Sequence, residues 1–253
     1  MVRLSWPPLG QAIGLVAVLL ICWVWVILMA RDMYGPMTGA SAWMMRFAWD
    51  WPHLFLLWAM WSAMMIAMMV PSALPSLVTA WRAYRQAGVP GQRSFYLLAA
   101  GYAAVWLVFS AGITVLQRLL ARAMVVSPMM EVTSPVVAGV LLVAAGLYQW
   151  SPLKRVYLAE CRDASACLPG QRPADVVEPF RLGVAHGTAC VGSCWLLMLL
   201  LFAGGVMSLP TILVLTAIVF VEKVTPFGRR STRLTGVLFV VAGLWIATAE
   251  ALA

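Results

Sequence analysis

Residues 53–71 read HLFLLWAMWSAMMIAMMVP and contain no Asp, Glu, Lys or Arg. A helix of about 20 apolar residues is long enough to cross the hydrocarbon core of a bilayer. In the whole chain of 253 residues, 63% are hydrophobic and only 10% are charged. This composition excludes an ordinary soluble enzyme, a disordered chain and a disulfide-rich secreted module. It predicts an all-α, polytopic transmembrane helix bundle that forms a single domain over residues 1–253.

The apolar pattern predicts about seven spans. They cover residues 10–30, 53–80, 95–116, 129–149, 182–201, 209–221 and 234–252. The sixth segment is short and has Pro210 near its start, where the first helical turn tolerates a missing N–H. The alternative is that the sixth segment forms a re-entrant hairpin with the fifth, which would leave an even number of spans.

The distribution of Lys and Arg predicts the orientation. With the N-terminus in and the C-terminus out, 13 of these cations lie inside and 4 outside, as the positive-inside rule favours. Residues 31–52 then form an outer segment whose tryptophans favour the membrane interface. Residues 151–181 form a cytoplasmic loop. In a membrane protein, the net charge of +8 reflects such loops and predicts no nucleic-acid partner.

Methionine is concentrated in the second predicted span. Met60, Met64 and Met68 share one helix face, and Met65 and Met69 form the neighbouring stripe. The thioether sulfur is a soft ligand that suits Cu(I). The alternative is that these side chains are flexible apolar filler in the bundle. We predict Met64, Met65, Met68 and Met69 as candidate metal ligands.

The fifth predicted span carries a second set of soft donors. His186, Cys190, Cys194 and Met198 recur every four residues and form one slowly drifting stripe. Imidazole, thiol and thioether groups are borderline to soft ligands, so all four are candidate metal ligands. The alternative is that the cysteines are small buried apolar residues and that His186 is a hydrogen-bonded core residue.

The two donor sets are predicted to lie at similar depths in the membrane. Met68 is about 22 Å from the outer edge of its span, and Cys190 is about 12 Å from the inner edge of its own, at 1.5 Å per residue. We therefore predict that these spans are direct neighbours, with Met68 close to Cys190 or Cys194. Small residues would permit the contact: Ala63, Ala67, Gly183 and Gly187.

Two further pairs of residues carry weaker signals. Cys161 and Cys167 lie in the predicted cytoplasmic loop, and their spacing is not a standard zinc spacing, so no site is predicted there. Glu222 and Lys223 end the sixth predicted span and are expected to pair with each other or with a helix end.

Five stretches resemble one bacterial family. They are SAMMIAMMVP at 62–71, YQWSPLK at 148–154, GTACVGSCWLLM at 187–198, FAGGVM at 202–207 and EKVTPFG at 222–228. The family is that of the uncharacterised "predicted metal-binding integral membrane proteins", a domain of unknown function with a double-Met motif. The resemblance covers roughly residues 52–228. It implies metal binding and a multi-pass protein of the bacterial cytoplasmic (inner) membrane, but supplies no substrate or reaction.

The chain departs from the family pattern at three places. Ser193 precedes Cys194 where the family has adjacent cysteines, and Tyr157 stands where a cysteine is usual. Thr211 and Ile212 replace a Trp-Met pair. This chain therefore keeps the Met motif and two span cysteines but lacks other ligands that the resemblance implies.

These observations favour a protein that binds a soft metal ion, most simply Cu(I), for transport or for delivery to a metalloenzyme. Its expected partners are the lipid bilayer and a metal donor or acceptor protein or a larger membrane complex. No P-loop, dinucleotide-binding or hydrolase motif is found, which favours a non-enzymatic role. The alternatives are a non-catalytic accessory subunit of a larger membrane complex and, third, a membrane enzyme with thiol chemistry at Cys190 or Cys194.

Overall fold

The computed structural model describes residues 9–35, 37, 50–86, 91–162 and 177–249. Within these ranges the regular structure is all-helical apart from one isolated β-bridge, which confirms the all-α part of the predicted fold class. The eight helices are α1 (Leu9–Met33), α2 (Trp51–Gln86), α3 (Gly91–Arg122), α4 (Pro135–Gln149), α5 (Pro152–Arg162), α6 (Glu178–Gly204), α7 (Leu209–Val224) and α8 (Gly228–Ala249). Most of the predicted outer segment at 31–52, and Cys167, lie outside the described residues.

In the part of the chain that the structure describes, five helices are long and apolar enough to cross a membrane, namely α1, α2, α3, α6 and α8. A sixth candidate arises if α4 and α5, which are bent by 64° at a short break, form one span. The remaining predicted span is α7, a helix of 16 residues, which corresponds to a length of about 24 Å. The structure therefore supplies five or six candidates by length and composition, where the sequence predicts about seven.

The fourth predicted span begins later than expected. Its helix begins at Pro135, not near residue 129, because the preceding residues form a compact turn. Met130 has a φ of 60°, and Val126 and Val132 form the isolated bridge. Proline suits the first turn of α4 because its missing N–H has no intrahelical partner there.

Part of the predicted cytoplasmic loop at 151–181 is helical. After the break at Trp150 and Ser151, α5 runs over residues 152–162 and packs against α6. It buries Lys154, Leu158 and Cys161. The bend between α4 and α5 thus brings three loop residues into the bundle, which hydropathy alone does not reveal.

Glycines set the closest helix contacts. A Cβ on Gly101 would collide with the carbonyl oxygen of Phe180, and a Cβ on Gly183 would collide with that of Leu98. The Gly183 and Gly187 face of α6 is therefore packed by α3, not by α2 as the sequence predicted. Such small residues let two helix backbones approach closely. The result is that both α2 and α6 pack extensively on α3.

A buried ion pair joins the bent helix to the last two helices. Lys154 Nζ lies 2.7 Å from Glu222 Oε2, and both side chains are almost completely buried. Gln149 Nε2 donates to Glu222 Oε1 at 2.9 Å and to Thr235 Oγ1 at 3.1 Å. A buried carboxylate needs such partners because an unpaired charge away from water is strongly destabilising. The network ties α4, α5, α7 and α8 together beside the cysteines of α6.

Candidate metal centre

A sulfur contact joins the two predicted donor sets. Cys194 Sγ lies 3.9 Å from Met69 Sδ, so side chains of α2 and α6 meet although both helices pack on α3. Met69, Cys190 and Cys194 are each at most 1% exposed. The prediction that α2 and α6 are direct neighbours is wrong for their backbones, because both helices pack on α3. The side-chain contact between them uses Met69, where the sequence predicted Met68.

Lys223 lies against both cysteine sulfurs. Its Nζ donates to Cys190 Sγ at 2.6 Å and lies 3.9 Å from Cys194 Sγ. The expectation that Lys223 pairs with Glu222 is wrong, because Glu222 binds Lys154. Adjacent residues on an α-helix point about 100° apart, so Glu222 and Lys223 face different neighbours. The cluster thus contains two thiols, one thioether and one ammonium group.

Tyr102 on α3 closes another side of the cluster. Its hydroxyl lies 3.1 Å from Cys190 Sγ, and it donates to the backbone carbonyl of Met69 at 3.3 Å. Its ring lies 5.7 Å from the imidazole of His186, centroid to centroid. One side chain therefore contacts both donor helices. The close α3–α6 packing at Gly183 brings Tyr102 against α6, since the backbone nitrogen of Tyr102 borders the same glycine.

Cys161 also reaches the cluster, although the sequence predicted no site there. Its thiol interacts electrostatically with Cys190, and its carbonyl oxygen accepts a hydrogen bond from Ser76 Oγ at 3.3 Å. Among the described residues, no group of three or more His, Cys, Asp and Glu side chains is arranged to hold a metal ion. Cys161 therefore contacts Cys190 without completing a three-thiol site, and a site here needs the thioether.

The other predicted ligands lie in the same core. Met64, Met65, Met68 and Met198 are fully buried, so these sulfurs do not face lipid or a partner. They belong to the apolar core that also contains Met69 and the α6 cysteines. His186 is buried one turn before Cys190 and stacks beside Tyr102. The structure thus collects all eight predicted residues in one bundle interior, with direct sulfur contact between Met69 and Cys194.

A family model described as PpoB2, copper chaperone, matches residues 58–246, about three quarters of the chain. The chain belongs to the PpoB2 copper chaperone family. This gives it a copper-related function and agrees with the metal-binding character that the sequence resemblance implies, although the family bears a different name. No curated protein and no solved structure matches the chain.

The residues of the cluster fit copper, the metal that the family's description names. All of them lie within the matched range. Thiolate and thioether are the donors that select Cu(I), and the burial of the sulfurs excludes water, which would favour harder ions. The residues that the sequence missed are Tyr102, Cys161 and Lys223. Of these three, only Cys161 has a soft donor atom, which a search of the sequence for metal ligands could have found.

Proposed function

We propose that this copper chaperone binds Cu(I) between Cys190, Cys194 and Met69 and delivers it to a metalloenzyme. The observation that carries the proposal is the meeting of the Met69 thioether and the Cys194 thiol at 3.9 Å in a fully buried position. Cu(I) accepts two or three soft ligands in such a setting. The cysteines supply charge and most of the affinity, and the thioether supplies a weaker third contact that can be released during transfer.

Charge balance supports the same arrangement. Cu(I) bound by two thiolates has a net charge of minus one, and such a charge is destabilised away from water unless a cation compensates it. The ammonium group of Lys223 lies 2.6 Å from Cys190 Sγ and supplies that positive charge. The loaded site is then neutral overall. A neutral loaded site is compatible with a position deep inside an apolar bundle.

The remaining predicted donors serve as secondary ligands in this proposal. Met65 precedes Met69 by one helical turn, and Met64 precedes Met68 in the same way, which spaces successive sulfurs by about 6 Å along the helix axis. His186 and Met198 flank the two cysteines on α6 at the same spacing. Neutral donors at one-turn intervals offer copper a path through the bundle without burying additional charge.

The proposed location is the bacterial cytoplasmic membrane, with seven spans, the N-terminus in and the C-terminus out. The five or six helices of sufficient length and apolar character support membrane insertion. The excess of Lys and Arg in the proposed inner loops supports the orientation. A copper donor or acceptor protein is the expected partner, since a chaperone passes its cargo to another protein.

Copper retention tests the proposed site. The full chain is purified under reducing conditions in detergent, loaded with Cu(I), washed, and its copper-to-protein ratio measured. The double variant Cys190→Ser plus Cys194→Ser is expected to lose retention. Met69→Leu, which conserves volume, is expected to weaken retention while leaving the fold intact. Zn(II) is expected to bind less well because thioether is a poor zinc ligand.

The matched control is Cys22→Ser, which removes a thiol from α1 and leaves the cluster untouched. It is expected to retain as much copper as the unmodified chain. Equal retention by the double cysteine variant would contradict the proposed site. Absence of retention by the unmodified chain would contradict it too, and would favour a non-catalytic accessory role.

A further inference from the structure

A basic cavity lies between the bent helix pair α4–α5 and the start of α8. Its volume is about 960 Å³. The described lining residues are Gln149, Trp150, Lys154, Arg155, Leu158, Ala159, Arg162, Thr232, Arg233 and Val237. No Cys or Met is among them, so the cavity is separate from the candidate metal centre.

The cations of this cavity are only partly neutralised. Lys154 is paired with Glu222, whereas the guanidinium of Arg162 donates to neutral backbone carbonyls of Glu222 and Thr225, at 3.0 and 2.6 Å. The side chains of Arg155 and Arg233 are exposed. No Asp or Glu is among the described lining residues. The cavity therefore retains positive charge and favours an anionic ligand.

One wall of the cavity is apolar, and it adjoins an exposed apolar surface on α8. Trp150, Leu158 and Val237 line it, and Trp150 Nε1 donates to the carbonyl oxygen of Arg233 at 3.3 Å. Beyond Val237 the outer face of α8 exposes an apolar stripe at helical spacing. The stripe consists of Leu234, Leu238, Val241 and Trp245, each at least 60% exposed.

We propose that the cavity binds the phosphate headgroup of an anionic phospholipid, whose acyl chains lie along the exposed stripe of α8. Arg155, Arg162 and Arg233 supply the charge for the phosphate, and arginine matches phosphate oxygens through paired N–H donors. Basic pockets at the cytoplasmic side of transmembrane helices bind anionic headgroups in this way. The proposal rests on the membrane location given under the proposed function, but not on copper binding.

Lipid titration of the delipidated full chain in neutral detergent, followed by native mass spectrometry, tests the proposal. The probes are phosphatidylglycerol, phosphatidylcholine and water-soluble glycerol phosphate. Phosphatidylglycerol is expected to bind most tightly. Arg155→Gln plus Arg233→Gln is expected to weaken its binding about 25-fold, since each cation near an anionic headgroup contributes roughly fivefold. The charge-matched control, Arg122→Gln plus Arg181→Gln, removes two exposed cations that lie on other helices and outside the lining, and it is expected to change binding less than about twofold.

Several outcomes overturn the proposal. Equal binding of phosphatidylcholine removes the anionic preference, and glycerol phosphate binding as tightly as the lipid indicates a small-anion site. An equal loss in the control variant indicates a general charge effect. A chain that fractionates with soluble proteins contradicts the membrane location and, with it, this proposal. Copper retention is measured on the arginine variant as well, so that a failure of the lipid site is distinguished from a failure of the copper site.

Discussion

Lys223 places a single charged group next to two thiols. Its Nζ is 2.6 Å from Cys190 Sγ and 3.9 Å from Cys194 Sγ. We expect Lys223→Met to lower the Cu(I) affinity about tenfold or more, because a hydrogen bond to a charged group contributes roughly 1.5–3 kcal/mol. Lys223→Arg keeps the positive charge and is expected to restore most of the affinity. Competition with a Cu(I) chelator measures both values, and unchanged affinity in Lys223→Met would show that the site needs no counter-charge.

Sequence spacing identified the two helices whose sulfur atoms meet but not the set of contacts. The four-residue intervals correctly indicated that Cys190 and Cys194 share a face of α6. They did not distinguish Met68 from Met69, because adjacent stripes on a helix differ by only 100°. Lys223 and Tyr102 come from other helices, and their approach depends on tertiary packing that a one-dimensional pattern does not contain. The partner of Cys161 is likewise on a different helix.

The contact between α3 and α6 governs the geometry of the cluster at the scale of helices. A Cβ on Gly101 would meet the backbone of α6, whereas a Cβ on Gly112, on the same helix, meets nothing within 4 Å. We expect Gly101→Ala to lower the free energy of unfolding by about 1–3 kcal/mol, the usual effect of overpacking. Gly112→Ala is the matched control and is expected to be neutral or stabilising by up to about 1 kcal/mol, since alanine favours helix.

Thermal unfolding in detergent distinguishes the two glycine variants. Equal stability of the two variants would show that α3 and α6 can move apart without lowering the free energy of unfolding. The close contact would then not be what fixes Tyr102 against α6. The G-x-x-x-G pattern correctly predicted close packing of α6. It could not identify the partner helix, because both α2 and α3 offer small residues. The break between α4 and α5 was also missed, since apolar content does not report a change of helix direction.

A side-chain hydrogen bond links the end of α1 to the turn before α4. Tyr34 donates to Glu131 Oε1 at 2.8 Å. Burial, the hydrogen bond and the negative charge of Glu131 together raise the pKa of Tyr34 from about 10 to about 12. Because the pKa is raised in the folded state, the stabilisation is fully present below pH 10 and is lost as the pH rises towards 12.

We therefore expect Tyr34→Phe to lower the unfolding temperature slightly at pH 9 and to match the unmodified chain near pH 12. The difference at pH 9 corresponds to less than about 1 kcal/mol, because Tyr34 is more than half exposed and solvent weakens the interaction. Thermal unfolding of both proteins between pH 9 and 12 provides the measurement. A difference that persists at pH 12 would show that the tyrosine ring, not its hydroxyl, provides the stability.

For the whole molecule, composition correctly predicted an all-helical chain, while the number of spans depends on α7. This helix has 16 residues, or about 24 Å, against a hydrocarbon core of about 30 Å. A short helix can still cross if the bilayer thins locally or flanking cations extend to the interface. At its C-terminal end, Glu222 binds Lys154 and the carbonyl of Thr225 binds Arg162, so α7 ends at the level of α5.

These contacts, together with the cations, favour a crossing by α7. If α7 did not cross, the four cations at its end and at the start of α8 would lie outside, and the split of Lys and Arg would fall from 13 against 4 to 9 against 8. Such a split would give little reason for either orientation.

We therefore expect a fusion after Ala253 to carry a reporter enzyme to the outside. A reporter that needs disulfides is active only there, because cytoplasmic thiols stay reduced. The same reporter inserted after Gly170, in the predicted inner loop, is the inactive control. A reporter that is active after Gly170 and inactive after Ala253 would show that the orientation is the reverse of the one proposed. A reporter that is inactive at both sites would show that the number of spans is even.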